Sequence, residues 1–321
     1  MFSEQMQTIF EIGLVPLVVL EDVADAVPLG KALVRGGIPV AEVTFRTDAC
    51  LAVIRAMKQV QGLIVGAGTV HNIKQAAAAV EAGATFIVTP AYNPAVVQYC
   101  LENHIDILPG TVSPAEIEAA QGLGIEACKF FPAAAYGGPI TLKALGGPFG
   151  KMKFVPTGGV SLANMRDYLA LSNVAAIGGS FMTPATMVHS QDWEGIVRTC
   201  RQAVHTMLGL HIGHIGIHAQ GNIEAENFAD ELCQLTGEEK ICTDGGFFAG
   251  TFAEICAQPT PGEKGHICLD TTDMPRALAY FKRRGTKFNE QYTFRNEKGA
   301  IRLAYLKETV GGFSIHLRRA E

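Results

Sequence analysis

The chain has 321 residues, 48% of them hydrophobic and 18% charged, with a net charge of −5 at pH 7. That length favours two domains over one, each large enough to bury a core. A mildly acidic chain without a Lys/Arg run offers no field for a nucleic-acid backbone, and eight scattered cysteines with no C-x-x-C pair do not make a secreted disulfide framework.

The first residues, MFSEQMQTIFEIG, carry early acidic groups and no basic start followed by a long apolar run. Neither a signal peptide nor a membrane anchor is expected, and the inferred location is cytoplasmic. From residue 14 to about 180, short Val/Ile/Phe-rich runs alternate with amphipathic stretches, the pattern of βαβ units on a parallel sheet. Strands are predicted at 14–20, 39–45, 63–67, 84–88, 105–109, 126–131, 153–157 and 174–178. The spacers VADAVPLGKALVRGG, NIKQAAAAVEAGA and SPAEIEAAQGLG carry helical apolar spacing and end in Gly, a usual helix stop. Eight such units predict an α/β fold of the (β/α)8 TIM-barrel type. An open doubly wound sheet is the alternative, disfavoured because no G-x-G-x-x-G opens a first βα unit. Asp192 is the expected N-cap of a last helix, WEGIVRTCRQAVHTML, which closes the barrel domain near residue 208.

Residues 209–321 change character. GHIGIH (213–218) followed by a helix-like stretch returns as GHICLD (265–270) followed by MPRALAYFKRRG, and each copy continues into three short strand-like runs. The expected second domain is therefore a smaller α+β unit of paired βαβββ modules.

In a parallel barrel, side chains alternate between lumen and helix layer, and catalytic groups sit at the C-terminal strand ends. In PVAEVTFRT, Glu42, Thr44 and Arg46 share one parity; in EACKFFPA, Lys129 shares parity with Ala127 and Phe131. A lysine set among Phe130, Phe131 and Pro132 loses hydration of its ammonium form, which favours the neutral, nucleophilic amine. A nearby Arg46 would add to this effect. The competing reading is an edge lysine that snorkels or pairs. A carboxylate at Glu42 within reach of that amine supplies the proton transfers that imine chemistry requires. Glycine-rich strand ends follow at 66–69, 156–160 and 177–180, the last two after strands seven and eight, where barrels bind phosphate through backbone N–H groups.

The ordered pieces ALVRGG (32–37), EVTFRT (42–47), VGAGTV (65–70), PGT (109–111), KFFPA (129–133), PTGGV (156–160), NMRDYLAL (164–171) and IGGS (177–180) resemble the bacterial 2-keto-3-deoxy-6-phosphogluconate / 4-hydroxy-2-oxoglutarate (KDPG/KHG) aldolase family, from about residue 8 to 207. The resemblance implies a class I aldolase with Lys129 as the Schiff-base lysine and Glu42 as its acid/base partner. It implies that Arg46 and Thr69 hold the substrate carboxylate, that Pro90, Phe131 and Thr157 line the pocket, and that Gly158, Gly159, Gly178, Gly179 and Ser180 surround a phosphate. It also implies a homotrimer, 2-keto acid and aldehyde substrates, and no metal for the aldol chemistry. A barrel that only binds or isomerises phosphosugars stays open as an alternative.

The second domain is similar in pattern to the vicinal-oxygen-chelate (glyoxalase-like) fold. That similarity points to His214, Glu254, His266 and His316 as ligands of a divalent metal, with His211 and His218 as rivals for the first position. The last position is more usually glutamate. The competing reading is a set of satisfied polar residues in a domain that packs or senses a metabolite, and a metal-dependent lyase role is a further alternative.

Overall fold

The chain opens with a helix that precedes the alternation of strands and helices, α1 (Glu4–Ile12). The Ser3 hydroxyl accepts the Met6 N–H at its start, and Gly13 ends it in the left-handed region at φ 75°. The computed structural model describes residues 2–320, which divide into two units, one ending at Met207 and one beginning at Leu208.

In the first unit strands alternate with helices: β1 (Leu14–Val18), α2 (Ala26–Arg35), β2 (Val40–Thr44), α3 (Cys50–Met57), β3 (Ile64–Gly68), α4 (Ile73–Ala82), β4 (Phe86–Val88), α5 (Pro94–Glu102), β5 (Asp106–Leu108), β6 (Gly110–Thr111), α6 (Pro114–Gly122), β7 (Ala127–Phe130), α7 (Gly138–Leu145), β8 (Lys153–Pro156), α8 (Met165–Leu169), β9 (Ile177–Gly179), α9 (Ala185–His189) and α10 (Trp193–Leu208). Several helices start where side chains replace missing backbone partners. Asn72 caps α4, Ser113 and Glu116 form a capping box on α6, and Asp192 accepts the Gly195 N–H at the start of α10. Ala76, Ala79 and Ala82 recur on one face of α4 and let that helix lie close on the sheet. Ile196, Val197, Cys200, Val204 and Met207 of α10 are buried together, each larger side chain contributing about 1.5–3 kcal/mol.

The strands form a curled parallel sheet in the order β5-β4-β3-β2-β1-β9, with β6-β7-β8 as a second parallel set. Pro109 separates β5 from β6 because it has no N–H to donate, yet its carbonyl still accepts the Lys129 N–H at 2.9 Å. On the other side, single parallel bridges join Phe154 to Val174 and Thr157 to Gly178. The last strand therefore departs from the expected 174–178: it runs from Ile177 to Gly179, and Val174 contributes one bridge only.

The second unit contains β10 (His211–His218), α11 (Asn222–Thr236), β11 (Lys240–Thr243), β12 (Gly246–Ala249) and β13 (Ala253–Cys256), then β14 (His266–Thr271), α12 (Met274–Arg283), β15 (Phe288–Arg295), β16 (Ile301–Leu306) and β17 (Ser314–Arg319). Each half runs strand, helix, three strands. They share one mixed sheet in the order β11-β12-β13-β10-β14-β17-β16-β15. Ala225 and Ala229 of α11 pack on Ala249 and Ile255, so small side chains set the spacing between helix and sheet. Among the described residues, no helix is long and apolar enough to cross a membrane.

Candidate active site

Strand register places the two catalytic candidates of the first unit. Glu42 lies opposite Leu17 of β1 and Gly66 of β3, while Lys129 lies opposite Gly110 of β6 and Val155 of β8. The two strands do not pair, yet Lys129 Nζ reaches Glu42 Oε1 at 2.9 Å, with the two side chains 6% and 3% exposed. The Phe131 ring centroid is 5.3 Å from the same nitrogen. A charged or proton-sharing pair in such a dry place is costly to separate, which holds both groups in one geometry.

Gly68 makes room for this pair, since a Cβ there would overlap the Glu42 carboxylate. In the sequence this glycine is only part of a glycine-rich strand end; its reason is the side chain of the neighbouring strand. Thr44, expected on the lumen face with Glu42, is buried and donates its hydroxyl to the Val18 carbonyl. Arg46 lies two residues beyond the end of β2 and is exposed, with no hydrogen bond or ion pair among the described residues.

The binding candidates sit at strand ends. Thr69 follows β3 directly and adopts φ 57°, the left-handed region that a β-branched residue enters only at a cost. Pro90 is partly exposed, and its carbonyl backs onto Gly110, where any side chain would collide with it. Phe131 is partly exposed over Lys129, and Thr157 is buried, its hydroxyl donating to the Val155 carbonyl and lying against Gly178. Gly158 and Gly159 hold φ 93° and 76°, turning the chain sharply after β8, and Gly178 and Gly179 end the adjacent strand, with Ser180 opening a turn of 3-10 helix. Bridge Thr157–Gly178 brings these two glycine-rich ends side by side.

The second unit gathers a separate cluster on the four central strands of its sheet. His214 Nε2, His266 Nε2 and Glu254 Oε2 lie 3.1 Å from one another in all three pairings. His316 completes the group, its ring 4.9 Å from that of His266 and 5.5 Å from that of His214. Gly216 separates Glu254 from His266 in the register, and a Cβ there would overlap the His266 ring. His214 and His316 meet as the sequence pattern predicts; the rivals do not join them. His211 is exposed near Asp270, and His218 contacts Thr260.

Burial works against the Glu254 charge, but hydrogen bonds from His214 and His266 outweigh it and hold the carboxyl at about 2. Burial, with His266 and His214 alongside, lowers His316 to about 3. His214 Nδ1 and both ring nitrogens of His316 are buried without a hydrogen-bond partner. Such orphaned groups cost about 1–3 kcal/mol each unless something else satisfies them. Three imidazoles and one carboxylate suit a divalent transition metal better than magnesium or calcium.

Comparison with known proteins then bears on the first unit. Residues 6–199 match the family model described as KDPG and KHG aldolase. The chain is 44% identical over 204 residues to the 2-dehydro-3-deoxy-phosphogluconate aldolase of Treponema pallidum, covering 62% of this chain and 97% of that protein. It is 44% identical over 191 residues to the KHG/KDPG aldolase of Escherichia coli, covering 59% and 90%. Among solved structures, the KDPG aldolase of Legionella pneumophila, with pyruvate captured as a covalent carbinolamine, superposes with TM-score 0.60 at 36% identity, covering 61% of this chain and 97% of that one. The Zymomonas mobilis 2-keto-3-deoxy-6-phosphogluconate aldolase with 3-phosphoglycerate gives 0.60 at 36% identity, covering 62% and 94%. With a buried lysine and glutamate in contact inside a fold of this type, the chain belongs to the KDPG and KHG aldolase family.

Proposed function

We propose that the first unit is a closed (β/α)8 barrel and a class I aldolase, cleaving 2-keto-3-deoxy-6-phosphogluconate to pyruvate and glyceraldehyde 3-phosphate, or 4-hydroxy-2-oxoglutarate to pyruvate and glyoxylate. The single observation that carries this is the buried 2.9 Å contact between Lys129 and Glu42. The Phe154–Val174 and Thr157–Gly178 bridges on one side of β6-β7-β8, and the Lys129 N–H bonded to the Pro109 carbonyl on the other, support closure. Lys129 Nζ attacks the C2 ketone to give a carbinolamine, and Glu42 supplies the proton with which water leaves. The protonated imine withdraws electrons while Glu42 takes the proton of the C4 hydroxyl; the C3–C4 bond breaks, the aldehyde departs and an enamine remains on Lys129. Protonation at C3 and hydrolysis release pyruvate and restore the amine. Arg46 and Thr69 would hold the carboxylate end, Pro90, Phe131 and Thr157 would line the pocket, and Gly158, Gly159, Gly178, Gly179 and Ser180 would receive the phosphate. No step needs a metal, because the iminium itself is the electron sink. Exposed Tyr136 and Ile140 give the barrel apolar surface to bury in the expected homotrimer.

The test is incubation with pyruvate and borohydride, followed by peptide mass analysis. A reduced pyruvyl adduct confined to Lys129, absent in Lys129→Ala, is the expected result. A well-folded chain that forms no adduct would overturn the aldolase reading in favour of a phosphosugar-binding barrel.

A second reading concerns the other unit: it is a glyoxalase-like domain in which His214, Glu254, His266 and His316 bind a divalent transition metal. The buried, partnerless nitrogens of His214 and His316 support it. Metal content of the full chain, measured after loading with cobalt or zinc and desalting, tests it: one equivalent is expected, and none would leave a packing or metabolite-sensing domain.

A further inference from the structure

Thr260 stands between two imidazoles. Its backbone N–H donates to His218 Nε2 at 3.3 Å, and its hydroxyl lies 2.8 Å from the same nitrogen. A ring nitrogen that accepts an N–H presents a lone pair, so the hydroxyl also donates toward His218. The Thr260 oxygen then has only acceptor capacity left for His266 Nδ1, 3.3 Å away. His266 therefore carries a hydrogen on Nδ1, which leaves Nε2 as its only nitrogen for a metal. That nitrogen faces Glu254 Oε2 and His214 Nε2, each at 3.1 Å. The hydrogen-bond chain from His218 through Thr260 holds Nε2 in that direction.

We propose that Thr260, braced by His218, is a positioning residue for the metal centre: it fixes the tautomer of His266 and so sets how tightly the His214, Glu254 and His266 donors hold a divalent transition-metal ion. This rests on the metal-binding reading of the second unit. Neither residue is a ligand. Thr260 lies in the connection between β13 and β14, where no strand pattern marks it. Partners in this outer position hold a ligating imidazole in orientation, and their loss costs about 10–100-fold in affinity.

The test uses the full chain, stripped with chelator and titrated with cobalt(II) by visible absorption. The parent should bind one ion with resolved d–d bands. Thr260→Val should weaken binding by about 10–100-fold and shift the bands, while Thr260→Ser, which keeps the hydroxyl, should return to within about threefold of the parent. His218→Leu leaves Thr260 in place but removes its brace, and should weaken binding without changing the ion-free melting temperature if Thr260→Val proves unstable. A parent that binds cobalt while Thr260→Val and His218→Leu bind equally well would overturn this proposal alone. A parent without cobalt bands would overturn the metal reading and this one with it.

Discussion

Lys129 Nζ and Glu42 Oε1 meet at 2.9 Å, although 87 residues and an unpaired strand boundary separate them. Removing one member strands the other in a dry interior, which costs about 3–5 kcal/mol. Lys129→Ala should therefore lower stability by about that amount in urea melts, and the Lys129→Met/Glu42→Leu double variant should lose less than the sum of its singles. Additive losses would show the pair to be uncoupled.

Glu42→Gln keeps shape and one hydrogen-bonding oxygen but cannot take a proton. Its turnover should fall by about 10²–10⁴-fold, with the pyruvate adduct on Lys129 still trappable over longer incubation. Undiminished turnover would remove Glu42 from the proposed mechanism.

Gly68→Ala places a methyl group where the Glu42 carboxylate now lies. Turnover should drop at least tenfold while the protein stays folded, because the carboxylate must move away from the amine. Gly122→Ala, at the end of α6 with nothing within 4 Å of the new carbon, should instead raise stability by about 0.5–1 kcal/mol. Comparing the two by circular dichroism and steady-state kinetics separates a steric effect on the site from a general glycine effect.

His316 is buried with both ring nitrogens unpartnered, so an apolar residue should suit the ion-free unit at least as well. His316→Leu is expected to match or exceed the chelator-treated parent in melting temperature and to bind cobalt more weakly. Chelator should leave aldol cleavage unchanged in both. Loss of cleavage on chelation would contradict the metal-independent mechanism.

Asp270 accepts two hydrogen bonds from Arg318, at 2.7 and 2.8 Å, and this pairing holds its carboxyl below the usual range against the opposing effect of burial. A depressed carboxyl stabilises the fold above its unfolded value, about 3.9, and that contribution disappears as pH falls through the lower folded value. Asp270→Asn should cost stability at pH 7, and the gap to the parent in urea melts should close as pH drops below about 4. A gap constant down to pH 2.5 would rule out this pair as the source.

Much of this was legible in one dimension. The alternation of apolar runs and amphipathic stretches located the strands of the first unit to within a few residues, because strand and helix periods are local properties of the chain. The repeat of GHIGIH in GHICLD marked the halves of the second unit, and β10 and β14 do carry His214 and His266 to one cluster. The last strand of the first unit was misplaced because Val174, Ala175 and Ala176 are as buried and apolar as strand residues although only Ile177–Gly179 pairs as one. Helix α1 lies outside the alternation that marks the first unit, although Ser3 and Gly13 flank it.

The sequence by itself determined which residue types were available and their strand parity: a lysine among phenylalanines, a glutamate on an inward face, histidines at matching places in two modules. Only the tertiary structure decided that Lys129 touches Glu42, that Arg46 stands exposed beyond its strand, that His214 rather than His211 or His218 joins the cluster, and that Thr260 contacts His266. The physical reason is the same in each case. A hydrogen bond is made or lost within about half an ångström, and contacts between strands far apart in sequence are set by register, curl and loop path, which no local period encodes.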